Sequence, residues 1–281
     1  MNPQLEEIRD QQKESWNKFS AGWKKWDDLA MLFLKPAGDE IIRLIRPSGE
    51  DQILDIAGGT GEPGLTIASM LKGGRVIITD VAEDMLAIAR DKAAQRGISQ
   101  AEMQTCDVSE LPFPDNHFDA ISCRFGFMFF PDMQLAAGEM YRVLKPGGRL
   151  AASVWAVPEK NFWVTATMGT IMRLMELAPP PPDVPGMFRC AKPGRMKDIV
   201  EKAGFHHYSE SEITFKLPAG NVETYWNMLT EVGAPIVAAL SKADDAMREK
   251  IRKEVFDLVR ERYPGENIAL DATAIMISAR K

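Results

Sequence analysis

Residues 53–61 read ILDIAGGTG, a short apolar run that ends in an acidic residue and then breaks into glycines. Apolar residues return at helical spacing from Leu65 to Leu71. This order predicts a β-strand, a tight loop and an α-helix. Loops of this kind bring backbone amides close to a nucleotide-like ligand. Gly59 and Gly61 lack a Cβ, so they also leave room for the ligand and allow positive φ angles.

The glycine loop by itself fits two classes of cofactor. Gly59-x-Gly61-x-x-Gly64, with Asp80 about twenty residues further on, matches the dinucleotide-binding pattern. The same residues fit S-adenosylmethionine equally well. The loop therefore leaves a dinucleotide and a methyl donor open.

Three further features favour the methyl donor. A carboxylate at Asp55 would face a pyrophosphate unfavourably, but it suits the amino group and the cationic sulfonium of S-adenosylmethionine. Asp107 follows another strand, so Asp80 could bind the ribose hydroxyls and Asp107 the adenine amine of the same adenosine. Residues 144–148, LKPGG, end a predicted helix before a further strand.

With these motifs the chain resembles the class I S-adenosylmethionine-dependent methyltransferases. Residues 55–61, 79–86, 106–113 and 144–148 match in order, and residues 118–126 are most similar to the branch of ubiquinone and menaquinone C-methyltransferases. The resemblance implies S-adenosyl-L-methionine as the cofactor and S-adenosyl-L-homocysteine as the product. The implied cofactor-binding residues are Asp55, Ala57, Gly58, Gly59, Gly61, Asp80, Val81, Met85, Asp107, Val108 and Arg124.

Five of these residues also have a purely structural interpretation. Asp55 could cap a loop, Asp80 could cap the next helix, and Asp107 could initiate a turn. Met85 stands at a helical spacing that is common in protein cores. Arg124 could form a surface ion pair. Ala57 replaces the first glycine that the family often has, and we interpret it as a tolerated variant because alanine still allows close approach.

The alternation of elements predicts an α/β fold. Strands are expected near 52–57, 75–80, 102–106, 118–123 and 149–155, with helices near 62–72, 83–96 and 133–143. This pattern indicates a Rossmann-like, doubly wound sheet with ligands beyond the carboxyl ends of its strands. Strands near 207–216 and 272–279 complete seven, mostly parallel, with the last strand antiparallel as the family implies.

The chain divides into three predicted regions. Residues 1–48 should form helices, near 4–32 and 39–45, that cover the active site. Residues 49–156 should form the cofactor-binding core, and residues 157–281 the rest of the sheet. Helical lid insertions are expected at about 157–190 and 219–265, with two helices in 221–263. The candidate lining of the acceptor pocket is Trp16, Phe19, Trp23, Phe129, Trp155 and Trp226.

The composition limits the classes of partner that we expect this chain to bind. The formal charge is 34 − 40 = −6, and no long basic run suggests nucleic-acid binding. The three cysteines have neither the spacing of a metal site nor an even count for disulfides, so we expect no metal and a cytoplasmic location. No apolar stretch is long enough to span a bilayer, and the first residues do not form a secretory signal. A homodimer is compatible with the sequence.

These observations predict an S-adenosylmethionine-dependent methyltransferase for a small, aromatic or apolar metabolite. The catalytic residues stay unknown, since His117, His206 and His207 all stand at the starts of predicted strands. Two alternatives remain open. An NAD(P)-dependent oxidoreductase would need a catalytic tyrosine–lysine pair, and the only match, Tyr141 with Lys145, is poorly placed. A protein that binds S-adenosylmethionine or S-adenosylhomocysteine without catalysis would keep every cofactor motif.

Overall fold

The computed structural model describes residues 3–181 and 183–281, which form one sheet flanked by helices. The strands are β1 (Gln52–Ile56), β2 (Arg75–Asp80), β3 (Ala101–Thr105), β4 (Phe118–Arg124), β5 (Leu144–Trp155), β6 (His206–Gly220) and β7 (Ile268–Arg280). They lie side by side in the order β3-β2-β1-β4-β5-β7-β6. β1 to β5 pair in parallel, whereas β7 is antiparallel to both β5 and β6. The predicted seven-stranded sheet with an antiparallel last strand is confirmed.

The helices lie before, between and after the strands. They are α1 (Pro3–Lys25), α2 (Asp27–Ile45), α3 (Gly64–Met70), α4 (Glu83–Gln95), α5 (Met133–Val143), α6 (Phe162–Leu174), α7 (Arg195–Lys202), α8 (Val222–Val232), α9 (Ala234–Leu240) and α10 (Asp245–Arg262). Short 3₁₀ turns occur at Phe127–Phe129 and Pro158–Lys160. Among the residues described, no helix is long and apolar enough to cross a membrane.

The N-terminal helices differ from the prediction. One helix ends at Lys25, and α2 then runs through Pro36 to Ile45, where the sequence suggested a break and a second short helix at 39–45. The buried side of α2 carries apolar residues three or four positions apart from Ala30 to Ile45. Burial of this continuous stripe offsets the hydrogen bond that the proline removes.

Other elements also differ from the prediction. Residues 221–263, where two helices were predicted, contain three, because Gly233 and Pro235 separate α8 from α9. β5 begins at Leu144 and pairs first with Phe118; the register then shifts to Ala120 with Arg149, past the Pro-Gly-Gly turn. β6 and β7 pair from His206 with Arg280 to Gly220 with Ile268, so both strands are longer than expected.

The parallel strands define two opposite edges of the sheet. Because β1 to β5 are parallel, they all end at one edge, here called the carboxyl edge, and begin at the opposite one, the amino edge. Successive residues Ile53 and Leu54 of β1 point to opposite faces and are both fully buried, so helices cover the sheet on both sides. This leaves the two edges as the places where ligands can reach the sheet.

Candidate functional site

The loop between β1 and α3 turns sharply at the carboxyl edge. Gly59 (φ 54°) and Gly61 (φ 103°) adopt positive φ angles at no steric cost because they lack a Cβ. Ala57 (φ 54°) has a Cβ, so its left-handed conformation is strained. The amide of Gly58 donates to the carbonyl of Thr79 on β2 at 2.9 Å. The loop is therefore held against the end of β2.

Asp55 lies beneath this loop and is fully buried. Its Oδ1 accepts a hydrogen bond from Oγ of Ser122 at 2.6 Å, and its Oδ2 accepts from the amide of Gly64 at 3.1 Å. Burial raises the pKa of Asp55 to about 7, against the lowering effects of Ser122 and the Arg124 guanidinium. Asp55 fastens α3 to β1 and β4. Each of its oxygens accepts one hydrogen bond from a protein group, and the contact with a cofactor amino group that the sequence suggests stays a prediction.

Asp80 ends β2 beside the loop. Its Oδ1 accepts from the amide of Ala82 at 2.9 Å, and its Oδ2 accepts from the amide of Gly59 at 3.0 Å. Burial raises the pKa of this carboxyl, and the amides of Ala82, Gly59 and Val81 oppose the rise. Met85 is buried nearby, with its Cε 3.4 Å from the position that a Cβ on Gly59 would take. Asp80, Val81 and Met85 thus adjoin the glycine turn.

Asp107 follows β3, next to Asp80 across the sheet. Its Oδ1 accepts from the amide and the hydroxyl of Ser109, at 2.9 and 2.5 Å. The amide of Cys106 donates to the carbonyl of Asp80 at 3.1 Å and joins the tips of β2 and β3. Val108 is buried behind this turn. The structure therefore brings the two acids to neighbouring strand tips.

Arg124 is the last residue of β4 and is half-buried. Its Nη2 lies 3.4 Å from Sδ of Met31, and the side chain forms no ion pair among the residues described. Burial lowers the pKa of its guanidinium, and the negative charges of Asp55, Glu62 and Asp27 oppose this. Arg124 thus lies among acids at the carboxyl edge, and the surface ion pair considered from the sequence is absent within residues 3–181 and 183–281.

Asp27, at the start of α2, is a site residue that sequence reasoning missed. Its Oδ1 accepts from Oγ1 of Thr60 in the glycine loop at 2.9 Å, and its Oδ2 lies 2.8 Å from Nζ of Lys92 on α4. Its partners are 33 and 65 residues away in the chain, so no local pattern signals these contacts. Asp27 ties α2 to the loop and to α4.

Helix α1 crosses the same edge. Arg9 places Nη1 3.6 Å from Oδ2 of Asp107, beyond β3. Further along the helix, Oδ1 of Asn17 accepts from the amide of Asp84 in the first turn of α4, at 3.1 Å. Neither contact was predicted, because the motifs identify the acids and not the segment that covers them.

Three of the predicted pocket residues form an aromatic cluster, in which Trp16 and Trp23 belong to α1 and Phe129 to the 3₁₀ turn after β4. The ring of Trp16 lies 5.2 Å from that of Phe129 in an edge-to-face arrangement and 6.3 Å from that of Trp23. Nε1 of Trp23 is buried and has no hydrogen-bond partner among the described residues. We define these three residues as the lid cluster.

The other three predicted pocket residues lie elsewhere. Trp155 is 4% exposed and stacks on Phe125 with ring centroids 4.1 Å apart. Trp226 packs against Phe256 of α10 at 6.3 Å. Phe19 is half-buried, and its ring contacts no other aromatic residue in the part of the chain described. The aromatic contacts thus divide the six residues among separate packing groups, and a single acceptor pocket lined by all six stays a prediction.

The three histidines lie away from the carboxyl edge. His117 precedes β4, and its ring contacts that of Phe118 at 4.7 Å. His206 and His207 begin β6, where His206 is paired with Arg280 at the end of β7. All three are at the amino edge, as their sequence positions indicate.

Known proteins match this chain in its central region. Residues 34–166 match the model of the ubiE/COQ5 methyltransferase family. The demethylmenaquinone methyltransferase of Thermus thermophilus is 46% identical over 110 residues, which are 39% of this chain and 50% of that protein. The ubiquinone/menaquinone biosynthesis C-methyltransferase UbiE of Cellvibrio japonicus is 43% identical over 113 residues, 40% of this chain and 45% of the relative. The match thus spans about half the length of these relatives.

Among solved structures, the YcgJ protein of Bacillus subtilis is similar with a TM-score of 0.58 and 22% sequence identity. The similarity covers 88% of this chain and 98% of that one, and at this identity it shows the fold alone. The glycine loop, Asp80, Asp107 and Arg124 all fall inside the family match. Over residues 34–166 this chain is similar to the ubiE/COQ5 methyltransferase family, which confirms the resemblance that its motifs predict.

Proposed function

We propose that this chain is an S-adenosylmethionine-dependent methyltransferase that acts on a small aromatic or apolar acceptor. The observation that carries the proposal is the position of Asp80 and Asp107 at adjacent strand tips beside the glycine turn. The register pairs Asp80 with Thr105, two residues before Asp107. The family match over residues 34–166, which contains all of these positions, supports it.

The residues of the carboxyl edge fit this cofactor. A carboxylate has about four acceptor positions, and Asp80 uses two of them on the amides of Ala82 and Gly59. The others are suited to ribose hydroxyls. At Gly59 an added Cβ would meet only Cε of Met85 within 4 Å, so a ligand can approach the backbone there. Bound in this groove, S-adenosylmethionine supplies a sulfonium methyl group for transfer to a nucleophile.

Asp55 is proposed to support the cofactor through the glycine loop, and Arg124 to contact it directly. Asp55 maintains the loop through Ser122 and Gly64 and therefore positions the amides around the cofactor. Arg124 presents five N–H donors, and its side chain is contacted by Met31 Sδ without forming an ion pair among the described residues. Its free donors suit the carboxylate of the methionine portion.

The lid cluster is the proposed site for the acceptor. Trp16, Trp23 and Phe129 offer flat apolar walls, and the unpartnered Nε1 of Trp23 can donate to an oxygen on an aromatic ring. The relatives' names, demethylmenaquinone and ubiquinone/menaquinone methyltransferases, suggest a quinone-type ring as the acceptor. Such a ring is flat, apolar and oxygen-bearing, which agrees with both features of the cluster.

The proposed mechanism relies on positioning. Methyl transfer removes positive charge from sulfur, so an apolar cavity does not oppose the reaction, and α1 would exclude water from it. The aromatic walls would hold the acceptor in line with the methyl group. No histidine lies at the carboxyl edge, and burial raises the pKa of the Cys106 thiol to about 12, so neither type of side chain serves there as a base. The acceptor must therefore arrive as a good nucleophile, such as a reduced quinone ring.

Calorimetry and an activity assay together test this function. We expect S-adenosylmethionine and S-adenosylhomocysteine to bind and NAD to give no signal. Incubation with methyl-labelled donor and reduced demethylmenaquinone should then transfer label to the ring. Tight NAD binding with no response to the methyl donor would indicate an oxidoreductase. Donor binding without a labelled product, in this assay and with a metabolite extract, would indicate a binding protein.

The proposal also includes the roles of the three regions, the cellular location and the oligomeric state. Residues 1–48 would cover the site, 49–156 would bind the cofactor, and the insertions at about 157–190 and 219–265 would complete the lid. A net charge of −6 and three free cysteines support a cytoplasmic enzyme without a nucleic-acid partner. Sedimentation equilibrium would test the homodimer, for which a single monomeric species is the contrary result.

A further inference from the structure

A cavity of about 150 Å³ opens at the amino edge, on the opposite side of the sheet from the candidate active site. Its polar lining comes from four separate segments and contains no acidic residue. These lining residues are Arg43, Arg46, Arg149, His207, Ser278 and Arg280. Four arginines around one small cavity are unexpected in a chain with a net charge of −6.

Two of these arginines have partners and two do not. Arg43 pairs with Glu40 on α2, and Arg149 contacts Asp51 at 2.8 Å. Arg46 and Arg280 are exposed, and neither forms an ion pair with any residue in 3–181 or 183–281. The cavity therefore retains two uncompensated positive charges.

The topology forces these charges together. β5 and β7 pair so that Arg149 lies directly opposite Arg280, and like charges in this arrangement destabilise a sheet. Arg46 reaches the same cavity from the end of α2, where its φ of 48° is unusual for a residue with a side chain. An anion in the cavity would relieve the repulsion among these guanidinium groups.

We propose that this cavity binds the phosphate group of a phosphate-bearing ligand. Guanidinium groups bind phosphate through paired N–H donors, and Arg46 and Arg280 have these donors free. The hydroxyl of Ser278 and the ring of His207 line the same space and add further polar contacts. The volume suits one phosphate group with a few waters. The proposal does not depend on the reaction at the carboxyl edge.

Thermal unfolding in inorganic phosphate tests the site on the whole chain. At about 20 mM phosphate, compared with chloride of equal ionic strength, we expect the Tm of the wild type to rise by about 2–4 °C. The double variant R46Q/R280Q should lose this rise. The matched control K250Q/K253Q removes two exposed charges from α10 that form no ion pair among the described residues, and it should keep the rise. Both variants have a net charge of −6 − 2 = −8. Equal effects of phosphate and chloride on the wild type, or loss of the rise in the control, would overturn the proposal.

Two further measurements secure the outcome. If the double variant does not fold, calorimetric titration of the single variant R280Q with phosphate replaces it, and unchanged affinity counts against the site. Sedimentation with vesicles that contain phosphatidic acid distinguishes the source of the phosphate. Vesicle binding that R46Q/R280Q abolishes assigns a lipid headgroup, whereas a phosphate-dependent Tm without vesicle binding assigns a free ligand.

Discussion

An acidic cluster lies at one edge of this sheet and a basic cluster at the other, and the two form in different ways. At the carboxyl edge, Asp80 and Asp107 follow consecutive parallel strands, and their oxygens accept hydrogen bonds from nearby amides. At the amino edge, Arg46 and Arg280 come from opposite ends of the chain and stay unpaired among the described residues. The net charge of −6 conceals this division. Local motifs build the acidic edge, whereas only the closure of the sheet by β7 assembles the basic one.

The variant Asp80→Ala should have the largest effect. It removes the acceptor of two backbone amides and the proposed ribose contacts, each a charge-assisted hydrogen bond of about 1.5–3 kcal/mol. We expect the affinity for S-adenosylmethionine, measured by calorimetry, to fall by about 1,000-fold or more.

The control for this loss is Asp91→Ala, which removes an exposed carboxylate on α4 that contacts Lys24. The control should bind the cofactor as the wild type does, and neither variant should alter the response of the Tm to phosphate. Full cofactor affinity in Asp80→Ala would remove the ribose assignment. A weakened phosphate response in the same variant would mean that the two edges are not independent.

Asp55 should make the unfolding free energy of the protein depend on pH. Its folded-state pKa of about 7 lies above the ordinary value of 3.8, so its contribution to stability is fully present below about pH 4 and is lost as the pH rises through 7. Asp55→Asn keeps the size of the side chain and removes this titration. From pH 4 to pH 8 the wild type should lose up to about 4 kcal/mol of unfolding free energy relative to the variant.

Denaturant unfolding at several pH values measures this difference. Asp91→Asn serves as the exposed control and should follow the pH profile of the wild type. Parallel profiles for Asp55→Asn and the wild type would show that the buried carboxyl does not titrate in this range. Because Arg46 and Arg280 lie at the other edge, R46Q/R280Q should retain the wild-type dependence on pH.

The sequence predicted the acidic edge well because its signals are local. Asp55, Asp80 and Asp107 each follow an apolar run, and the order of the strands that precede them determines which tips are neighbours. The sequence predicted the positions of these acids better than it predicted their hydrogen-bond partners. Only the structure revealed that Asp55 faces Ser122 and Gly64, since Ser122 lies 67 residues away.

The basic cluster and the contacts of α1 could not be predicted in this way. Arg149 and Arg280 become neighbours only through the antiparallel register of β5 and β7. Likewise, Arg9 meets Asp107 because α1 folds back over β3. Phe19 and Trp23 lie on one helix, yet Phe19 has no aromatic partner in the part of the chain described, while Trp23 joins the lid cluster. Aromatic spacing alone does not distinguish the two.

Trp23→Phe tests whether the lid cluster binds the acceptor next to the cofactor site. Phenylalanine keeps an aromatic ring and removes the buried Nε1 donor, which has no partner among the residues described. Loss of one hydrogen bond to the acceptor should lower kcat/KM by about tenfold, with unchanged affinity for S-adenosylmethionine. The matched variant Trp226→Phe, outside the cluster, should leave kcat/KM unaltered. Equal losses in both variants would indicate a general packing effect.

The smallest effect on stability should come from replacing a left-handed residue at either edge by glycine. Ala57 (φ 54°) and Arg46 (φ 48°) are both left-handed residues with a Cβ, one at each edge. Glycine at either position relieves about 1 kcal/mol of strain but adds a similar entropy to the unfolded chain. We therefore expect Ala57→Gly and Arg46→Gly each to change the unfolding free energy in chloride by less than about 1 kcal/mol. Only Arg46→Gly should reduce the response to phosphate, because it removes a guanidinium group as well. A loss of stability well above this bound in Ala57→Gly would mean that its methyl group packs in the loop and that alanine is required there.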